Sequence, residues 1–407
     1  MLKKLTTALA LLAMTGMAQA ASITSWDTTD VEFNLGPYEM YTSYINTIHT
    51  DSTLSDAIGG VLWKERDTQF PGMSIVNDDD TNHTNCVMSA GYNPEDGTIK
   101  QCSDPFQSSK RFKSLMYKDG GATILKYNVT NDGTTKTYRM LQKLSNWTGS
   151  LVSDFTIELG FVDANGNWIA STAADGLGIS DQNGHVYTQP VNDAMSLQKD
   201  LAALFAHGLF GAPDKHHTTP GYFDPNNRGI FSLVAEEDHI VSNGISANHY
   251  DMFGLWNTSP IQIYGMYWDA DQLYYTDNIL MANCDGTFDE VAGVCNGTWV
   301  TYRSQEGTFI DPADGLEKPY ESDGIAKPVS AELLAQWEAD PWVAPAPIDD
   351  FANVNLNWFI TLGDTSNWPT PNSFAIRFIP NAGVVAPAIP TSTSILVDTL
   401  YAPTTVQ

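Results

Sequence analysis

Short runs of alternating apolar and polar residues constrain the fold of this chain more than any other feature. In the run Asp154–Val162, the side chains of Phe155, Ile157 and Leu159 fall on one face of an extended segment. Successive side chains of a strand point to opposite faces, so this pattern predicts a strand with one buried side. Turn residues such as Asn165-Gly166 separate the runs. The pattern predicts a mainly β protein.

The position of the strands along the chain indicates an antiparallel β-sandwich. Two runs around Asp119-Gly120-Gly121 predict a hairpin, Arg111–Tyr117 and Ala122–Val129. Further strands are predicted at Tyr138–Leu144, Val354–Leu362 and Ser373–Ile379. Frequent turns with strands near both ends favour a sandwich in which the last strands complete the sheets begun by the first.

Two predicted helices, an irregular stretch and a C-terminal tail lie outside this strand pattern. Helices are predicted at Asp193–Ala206, where leucines share one side, and at Ala331–Glu338. The irregular, aromatic-rich stretch 208–350 is predicted to be an insertion within a sandwich domain spanning 21–380. The Pro- and Thr-rich stretch 381–407 is predicted to be an extended tail.

Residues 1–20 have the three parts of a secretory signal peptide. Lys3 and Lys4 precede a short apolar run, and Ala18-Gln19-Ala20 is a small-residue cleavage site. Cleavage would change the formal net charge from −28 to −30. So acidic a chain is a poor partner for nucleic acid. We expect a secreted protein without a transmembrane segment, since the apolar run is too short to span a bilayer.

The four cysteines form two pairs that are local in sequence. Of the three ways to pair them, Cys86–Cys102 and Cys284–Cys295 is favoured in an exported protein. Neither pair has the spacing of a zinc site.

An acidic segment next to the first cysteine pair is the main candidate site. Asp78, Asp79 and Asp80 are adjacent, so their carboxylates repel one another unless a cation or solvent screens them. Asn82 adds a neutral oxygen, and such oxygen ligands suit Ca²⁺. The sequence therefore predicts a Ca²⁺ site formed by these four residues. The alternative is a solvated acidic turn without an ion, because Asp and Asn runs also mark turns.

Other candidate metal sites have weaker support in the sequence. Asp163-Ala164-Asn165-Gly166-Asn167 begins like an EF-hand loop, but Trp168 and Ala174 occupy positions that need Gly and Glu, so a hairpin turn is favoured. Lys215-His216-His217 and Glu236-Glu237-Asp238-His239 have ligand residue types without a known metal motif. We interpret these as polar loops.

No nucleophile elbow or phosphate-binding loop occurs in the sequence, and we predict that the protein is not an enzyme. The alternative class is a secreted carbohydrate-binding or glycan-processing β-sandwich. Its candidate stacking residues are Trp256, Trp268, Trp299 and Trp368, although aromatic residues in β proteins more often lie in the core.

Several long segments resemble the choice-of-anchor F family of exported bacterial proteins. They are Val76–Asp80, Gln101–Lys113, Ile157–Phe161, Asp214–His217, Asp277–Cys284, Asn296–Ser304 and Gly363–Asn372. Members of that family often end in an apolar helix followed by basic residues, and the tail of this chain departs from that pattern. The resemblance implies no catalytic residue.

An unanchored, acidic, exported β protein also looks like the surface-layer proteins of marine Gram-negative bacteria. That resemblance implies self-assembly on the cell surface, usually with Ca²⁺. We therefore expect a structural protein of the cell surface and biofilm matrix. Its expected partners are further copies of itself and an outer-membrane surface glycan.

Overall fold

Two large β-sheets lie face to face across one apolar core in the computed structural model of the chain. The structure describes residues 21–35, 40–45, 57–64, 72–92, 97–104, 110–192, 202–203, 230–259, 263–270, 272 and 278–382. The N-terminal 20 residues and the tail beyond Ala382 lie outside this range, and so do the predictions made for them.

The strands are β1 (Ala21–Trp26), β2 (Val31–Leu35), β3 (Met40–Ile45), β4 (Gly59–Lys64), β5 (Met73–Val76), β6 (Asn85–Ser89), β7 (Phe112–Met116), β8 (Thr123–Asn131), β9 (Lys136–Asn146), β10 (Val152–Val162), β11 (Trp168–Ala170), β12 (Leu177–Ser180), β13 (Val191–Asn192), β14 (Ala202–Ala203), β15 (Phe231–Ala235), β16 (His239–Ile245), β17 (Tyr264–Trp268), β18 (Ile279–Cys284), β19 (Phe288–Asp289), β20 (Val294–Cys295), β21 (Trp299–Arg303), β22 (Thr308–Ile310), β23 (Glu317–Pro319), β24 (Ser322–Pro328), β25 (Val343–Pro347), β26 (Asn353–Leu362) and β27 (Ser373–Ala382). The α-helices are α1 (Ala247–Phe253) and α2 (Ala331–Ala339). Short 3-10 helices cover Ala173–Asp175, Asp349–Ala352 and Thr365–Asn367.

The two large sheets form the predicted β-sandwich. The first has the order β1-β8-β27-β10-β16-β15-β13, with β11 beside β10. The second has the order β12-β26-β9-β7-β4-β3-β2, with β14 on β26 and the β5–β6 hairpin joined to β9. Pairing is antiparallel except at β6–β9 and β7–β9, which are parallel. The C-terminal strands do complete the sheets that the N-terminal strands begin, as predicted.

The inward faces of both sheets fill a single core. Phe155, Ile157 and Leu159 of β10 are fully buried, as their alternation predicts. Trp358 of β26 is buried in the same core from the second sheet, and its indole N–H donates to Gln142 at 3.2 Å. Full burial of one large apolar side chain stabilises a fold by about 2 kcal/mol, so these strands hold the two layers together.

The predicted hairpin between residues 111 and 129 is wrong in its pairing. Both strands exist, but β7 lies in the second sheet beside β4 and β9, whereas β8 lies in the first sheet beside β1 and β27. The connecting turn therefore crosses the sandwich. Alternation identifies the buried face of each strand, here Phe112 and Met116 opposite Leu125 and Tyr127. It does not say whether two such strands lie side by side or face to face.

A third sheet, with the order β24-β21-β18-β17-β25, forms most of the predicted insertion. Together with α2 and the hairpins β19–β20 and β22–β23, we call residues 264–347 the small-sheet unit. Leu280 and Tyr302 join it to the main core. Within the predicted insertion range 208–350, β15 and β16 belong to the first large sheet rather than to this third sheet.

The two helix predictions have different outcomes. Helix α2 is confirmed, and the Ser330 side chain caps it by accepting a hydrogen bond from the Leu333 N–H. Within the predicted helix 193–206, the described residues Ala202 and Ala203 instead form a short strand that pairs with β26. Tertiary pairing of this kind can override a local helical preference. Neither helix of the described chain is long and apolar enough to cross a membrane.

Candidate functional site: the acidic loop and its two clamps

The predicted acidic site is the tip of the β5–β6 hairpin. The main chain closes the tip because the Asp79 N–H donates to the Thr84 carbonyl at 2.9 Å and the His83 N–H donates to the Asp79 carbonyl at 3.0 Å. Asp78 and His83 both have φ near +55°, in the left-handed region that Asp and His tolerate better than most residues. The run of polar residues thus makes a tight, internally bonded turn.

Asp79 differs from its two neighbours because its carboxylate is buried. The side chain is 1% exposed, while Asp78 and Asp80 are exposed. One oxygen accepts the Asn82 N–H at 2.8 Å, and the other accepts the Ser103 N–H at 2.7 Å and the Ser103 hydroxyl. Asp79 therefore bonds its own turn to the segment that carries Ser103.

These hydrogen bonds determine the protonation of Asp79. Burial alone raises the pKa of a carboxyl group, but the bonds from Ser103 and Asn82 favour the charged form more strongly. The pKa of Asp79 falls to about 2. Asp79 is therefore ionised at neutral pH.

The Cys86–Cys102 disulfide joins the same two segments next to Asp79. Its partners have Cα atoms 5.9 Å apart, and no free cysteine occurs among the described residues. Both cysteines pack with Val76, Met88 and Leu141 in a small apolar cluster. Cys102 and Ser103 thus hold two adjacent clamps, one covalent and one made of hydrogen bonds to the Asp79 carboxylate. The predicted Cys86–Cys102 pairing is confirmed.

A buried lysine supplies a positive charge beneath the loop. Lys110 is 3% exposed, and its ammonium group donates to the carbonyls of Cys102 at 2.8 Å and Asp104 at 2.6 Å. Desolvation lowers its pKa to about 8, although Asp104 and Asp79 favour the charged form. At neutral pH the ammonium is charged and binds carbonyl oxygens of the loop.

The residues predicted to bind Ca²⁺ have different environments. Asp79 uses both oxygens for hydrogen bonds, Asp78 lies 3.1 Å from His83 Nδ1, and Asn82 contacts Asp79 through its main-chain N–H. Among the described residues, no three or more His, Cys, Asp or Glu side chains are arranged to hold a metal ion. The Ca²⁺ site stays a prediction, and the bonding of Asp79 favours the alternative of an acidic turn.

A melting experiment separates these two interpretations. The double variant Asp78→Asn/Asp80→Asn removes two exposed charges and keeps the structural Asp79. If the turn binds no ion, the variant should keep the full difference in Tm between Ca²⁺ and chelator that the wild type has. Relief of the repulsion between adjacent carboxylates should change its stability by less than about 0.5 kcal/mol. Loss of the Ca²⁺-dependent Tm shift, measured by scanning calorimetry, would instead identify Asp78 and Asp80 as ligands.

Two other acidic turns use aspartate in the same way. In Asp163–Asn167, Asp163 Oδ1 accepts the N–H groups of Asn165 and Asn167, each at 2.8 Å. Asp181 Oδ1 accepts the N–H groups of Asn183 and His185 at 2.8 and 2.9 Å. Hydrogen bonding lowers the pKa of Asp163. The favoured interpretation of Asp163–Asn167 as a turn is consistent with this geometry.

The remaining candidate metal residues do not form a larger group. His239 Nδ1 lies 2.7 Å from Asp238, and its Nε2 lies 3.9 Å from Glu236, at the turn between β15 and β16. Lys215-His216-His217 lies outside the described residues.

The four tryptophans considered for sugar stacking are core residues. Trp256 is fully buried, and Trp268, Trp299 and Trp368 are 6–8% exposed. A stacking platform needs an accessible ring face. These four residues therefore do not support the carbohydrate-binding alternative.

Sequence reasoning missed Lys110 and Ser103 as parts of the site. The clue was present, because Lys110 follows an acidic, cysteine-closed segment in a chain with only 20 Lys and Arg residues.

Comparisons with protein-family models, curated proteins and solved structures find no match for this chain.

Proposed function

We propose that this protein is a secreted structural protein of the cell surface that self-assembles, with divalent cations, into a surface layer and biofilm matrix. One observation carries the proposal. Of ten exposed large apolar side chains in the described residues, six lie in the small-sheet unit: Val291, Val294, Ile310, Leu316, Ile325 and Trp342. Exposed apolar residues concentrated in one part of a protein are typical of an association surface.

The charge of the chain supports a role for cations in that association. The formal net charge is −28, and two approaching copies repel each other at low ionic strength. Several of the described lysines lie within 4 Å of the chain's own carboxylates, among them Lys126 with Asp30 and Lys136 with Asp132. Divalent cations between copies would remove the remaining repulsion.

The predicted export is compatible with the described N-terminal strand and with the two disulfides. Ala21, the first residue after the predicted cleavage site, pairs with Asn131 of β8. Cleavage before Ala21 would leave this pairing intact. The two disulfides are typical of an oxidising compartment.

The proposal predicts that Ca²⁺ controls assembly. Purified mature protein in Ca²⁺ should scatter light and form ordered sheets in electron micrographs. Chelation at moderate salt should return it to single molecules, and fresh Ca²⁺ should restore the sheets. A matched sample at equal ionic strength in NaCl controls for simple screening. Protein that stays monomeric in Ca²⁺, or sheets that persist in excess chelator, would contradict the proposal.

A further inference from the structure

Strand β26 carries three buried asparagines at alternate positions, on the face that points away from the sandwich core. Strand β9 lies antiparallel beside β26, so each asparagine has one directly opposite residue on the same face. The opposite pairs are Asn353 with Ser145, Asn355 with Lys143 and Asn357 with Leu141. Of the three asparagines, Asn355 therefore is the one that faces an amine.

The side-chain oxygens of these asparagines are bonded differently. Asn353 Oδ1 accepts a hydrogen bond from the Ser145 hydroxyl. Asn355 is 8% exposed, and its Oδ1 is buried without a hydrogen-bond partner. A buried carbonyl oxygen without a donor is uncommon in native proteins and calls for a specific explanation. Asn357 Oδ1 also lacks a partner, but the residue opposite it is the apolar Leu141.

A carboxylate lies beside the amine that faces Asn355. The short 3-10 helix Asp349–Ala352 leads into β26 and places Asp350 Oδ1 3.8 Å from Lys143 Nζ. Both side chains are mostly shielded from solvent, since Lys143 is 20% and Asp350 21% exposed. Directly opposite residues in antiparallel strands have Cβ atoms about 5 Å apart, a span that a lysine side chain covers. The register thus brings an amine, a carboxylate and a carboxamide into one site.

We propose that Lys143 and Asn355 form an isopeptide cross-link between β9 and β26 after folding. Asp350 accepts a proton from the Lys143 ammonium, and the free amine attacks Asn355 Cγ. A bond forms between Lys143 Nζ and Asn355 Cγ, and the bond from Cγ to Nδ2 breaks. Asp350 returns its proton to the leaving nitrogen, which also takes the second proton lost by Nζ and departs as an ammonium ion. No oxidant, reductant or metal takes part.

Such a bond would fasten the second sheet covalently. Strands β9 and β26 are neighbours in the interior of that sheet, although most of the described chain separates them in sequence. A cross-link that closes a long loop stabilises the folded state chiefly by restricting the unfolded chain. The inference goes beyond the proposed function and does not depend on self-assembly, because the bond lies within one molecule.

Mass spectrometry of the full-length protein tests the bond directly. After reduction and denaturation, the wild type should weigh one ammonia less than its sequence, and a protease digest should contain a branched peptide that joins Lys143 to Asn355. Lys143→Arg keeps the positive charge but lacks the amine, and Asn355→Ala lacks the carboxamide, so each should have the full mass. The matched control is Lys113→Arg, because Lys113 lies next to Lys143 in the sheet but one strand farther from Asn355. That variant should keep the cross-link.

Asp350→Asn tests the proton transfer, since it retains both reacting groups. It should form the cross-link at least about a hundredfold more slowly than wild type, the usual size of a lost acid–base group. Circular dichroism verifies that the variant is folded, and a folded Asp350→Asn that cross-links at the wild-type rate would overturn the proton transfer.

Two results for the wild type would overturn the cross-link itself. One is folded protein with the full mass of its sequence. The other is loss of ammonia with Lys143 and Asn355 recovered in separate peptides, which would place the reaction elsewhere in the chain. Both results are read from the wild type alone, so a variant that fails to fold does not affect them. Neither result bears on whether the protein assembles in Ca²⁺, which tests the proposed function separately.

Discussion

Asp79→Ala should lower the free energy of unfolding by about 3 kcal/mol at pH 7, because it leaves part-buried N–H and hydroxyl donors without their charged acceptor. The carboxylate accepts bonds from Asn82 and Ser103 and is almost fully buried. Urea unfolding of the two proteins measures the difference. The matched control is Asp80→Ala, in the same turn but exposed, which should change the stability by less than about 0.5 kcal/mol.

The effect of Asp79→Ala should also depend on pH with a defined sign. The pKa of Asp79 falls from 3.8 to about 2 on folding. A lowered pKa contributes stability that is fully present above pH 3.8 and is lost as the pH falls towards 2. This contribution is about 2 kcal/mol at neutral pH and about half of that at pH 3. The stability difference between wild type and variant should shrink accordingly, and a difference that grows on acidification would contradict this account.

Trp256→Ala should cost about 4 kcal/mol, the range for truncating a fully buried aromatic residue. The indole meets the rings of Phe155 and Phe231 edge-on, with both centroids 5.7 Å away. The Trp256 main chain also exchanges two hydrogen bonds with Val152, each 3.0 Å long. Loss of the ring leaves a cavity between β10, β15 and the segment after α1. Thermal and urea unfolding should both show the loss.

A second tryptophan supplies the control for this variant. Trp342 is 40% exposed, and Trp342→Ala should change stability by less than about 1 kcal/mol. The two variants, Trp256→Ala and Trp342→Ala, also test the alternative that the protein binds carbohydrate. If Trp256 were a sugar platform, Trp256→Ala would fold with normal stability and lose binding in a glycan array. An unfolding midpoint equal to that of wild type would therefore refute the core role of Trp256.

The sequence predicted the strands far better than their partners. Alternation located β10, β26 and β27 to within a few residues, because successive side chains of a strand point to opposite faces of the sheet. It failed for β7 and β8, whose connection crosses the sandwich rather than forming a hairpin. Pairing depends on contacts with distant strands, and a local pattern does not contain that information.

The sequence also predicts only part of the candidate site. The sequence placed Asp79 beside a cysteine-closed segment, and the local pairing of the cysteines is confirmed. Sequence alone treated Asp78, Asp79 and Asp80 as equivalent carboxylates. Their different roles arise because Ser103, 24 residues away, reaches only Asp79. Lys110, by contrast, binds the carbonyls of Cys102 and Asp104, which lie eight and six residues away in the sequence, so this contact is local.

The order of the strands also governs when the chain can fold. Strand β27 lies between β8 and β10 in the first sheet, and β26 lies between β12 and β9 in the second. Both follow the small-sheet unit in sequence, so an interior strand of each layer is among the last parts of the described chain to be synthesised. Pairings such as Ile157–Phe378 span more than half of the chain, and long-range pairings of this kind form slowly. A nascent chain therefore cannot complete either large sheet until its last described strands have been made, so closure of the core should follow synthesis of nearly all of the described chain.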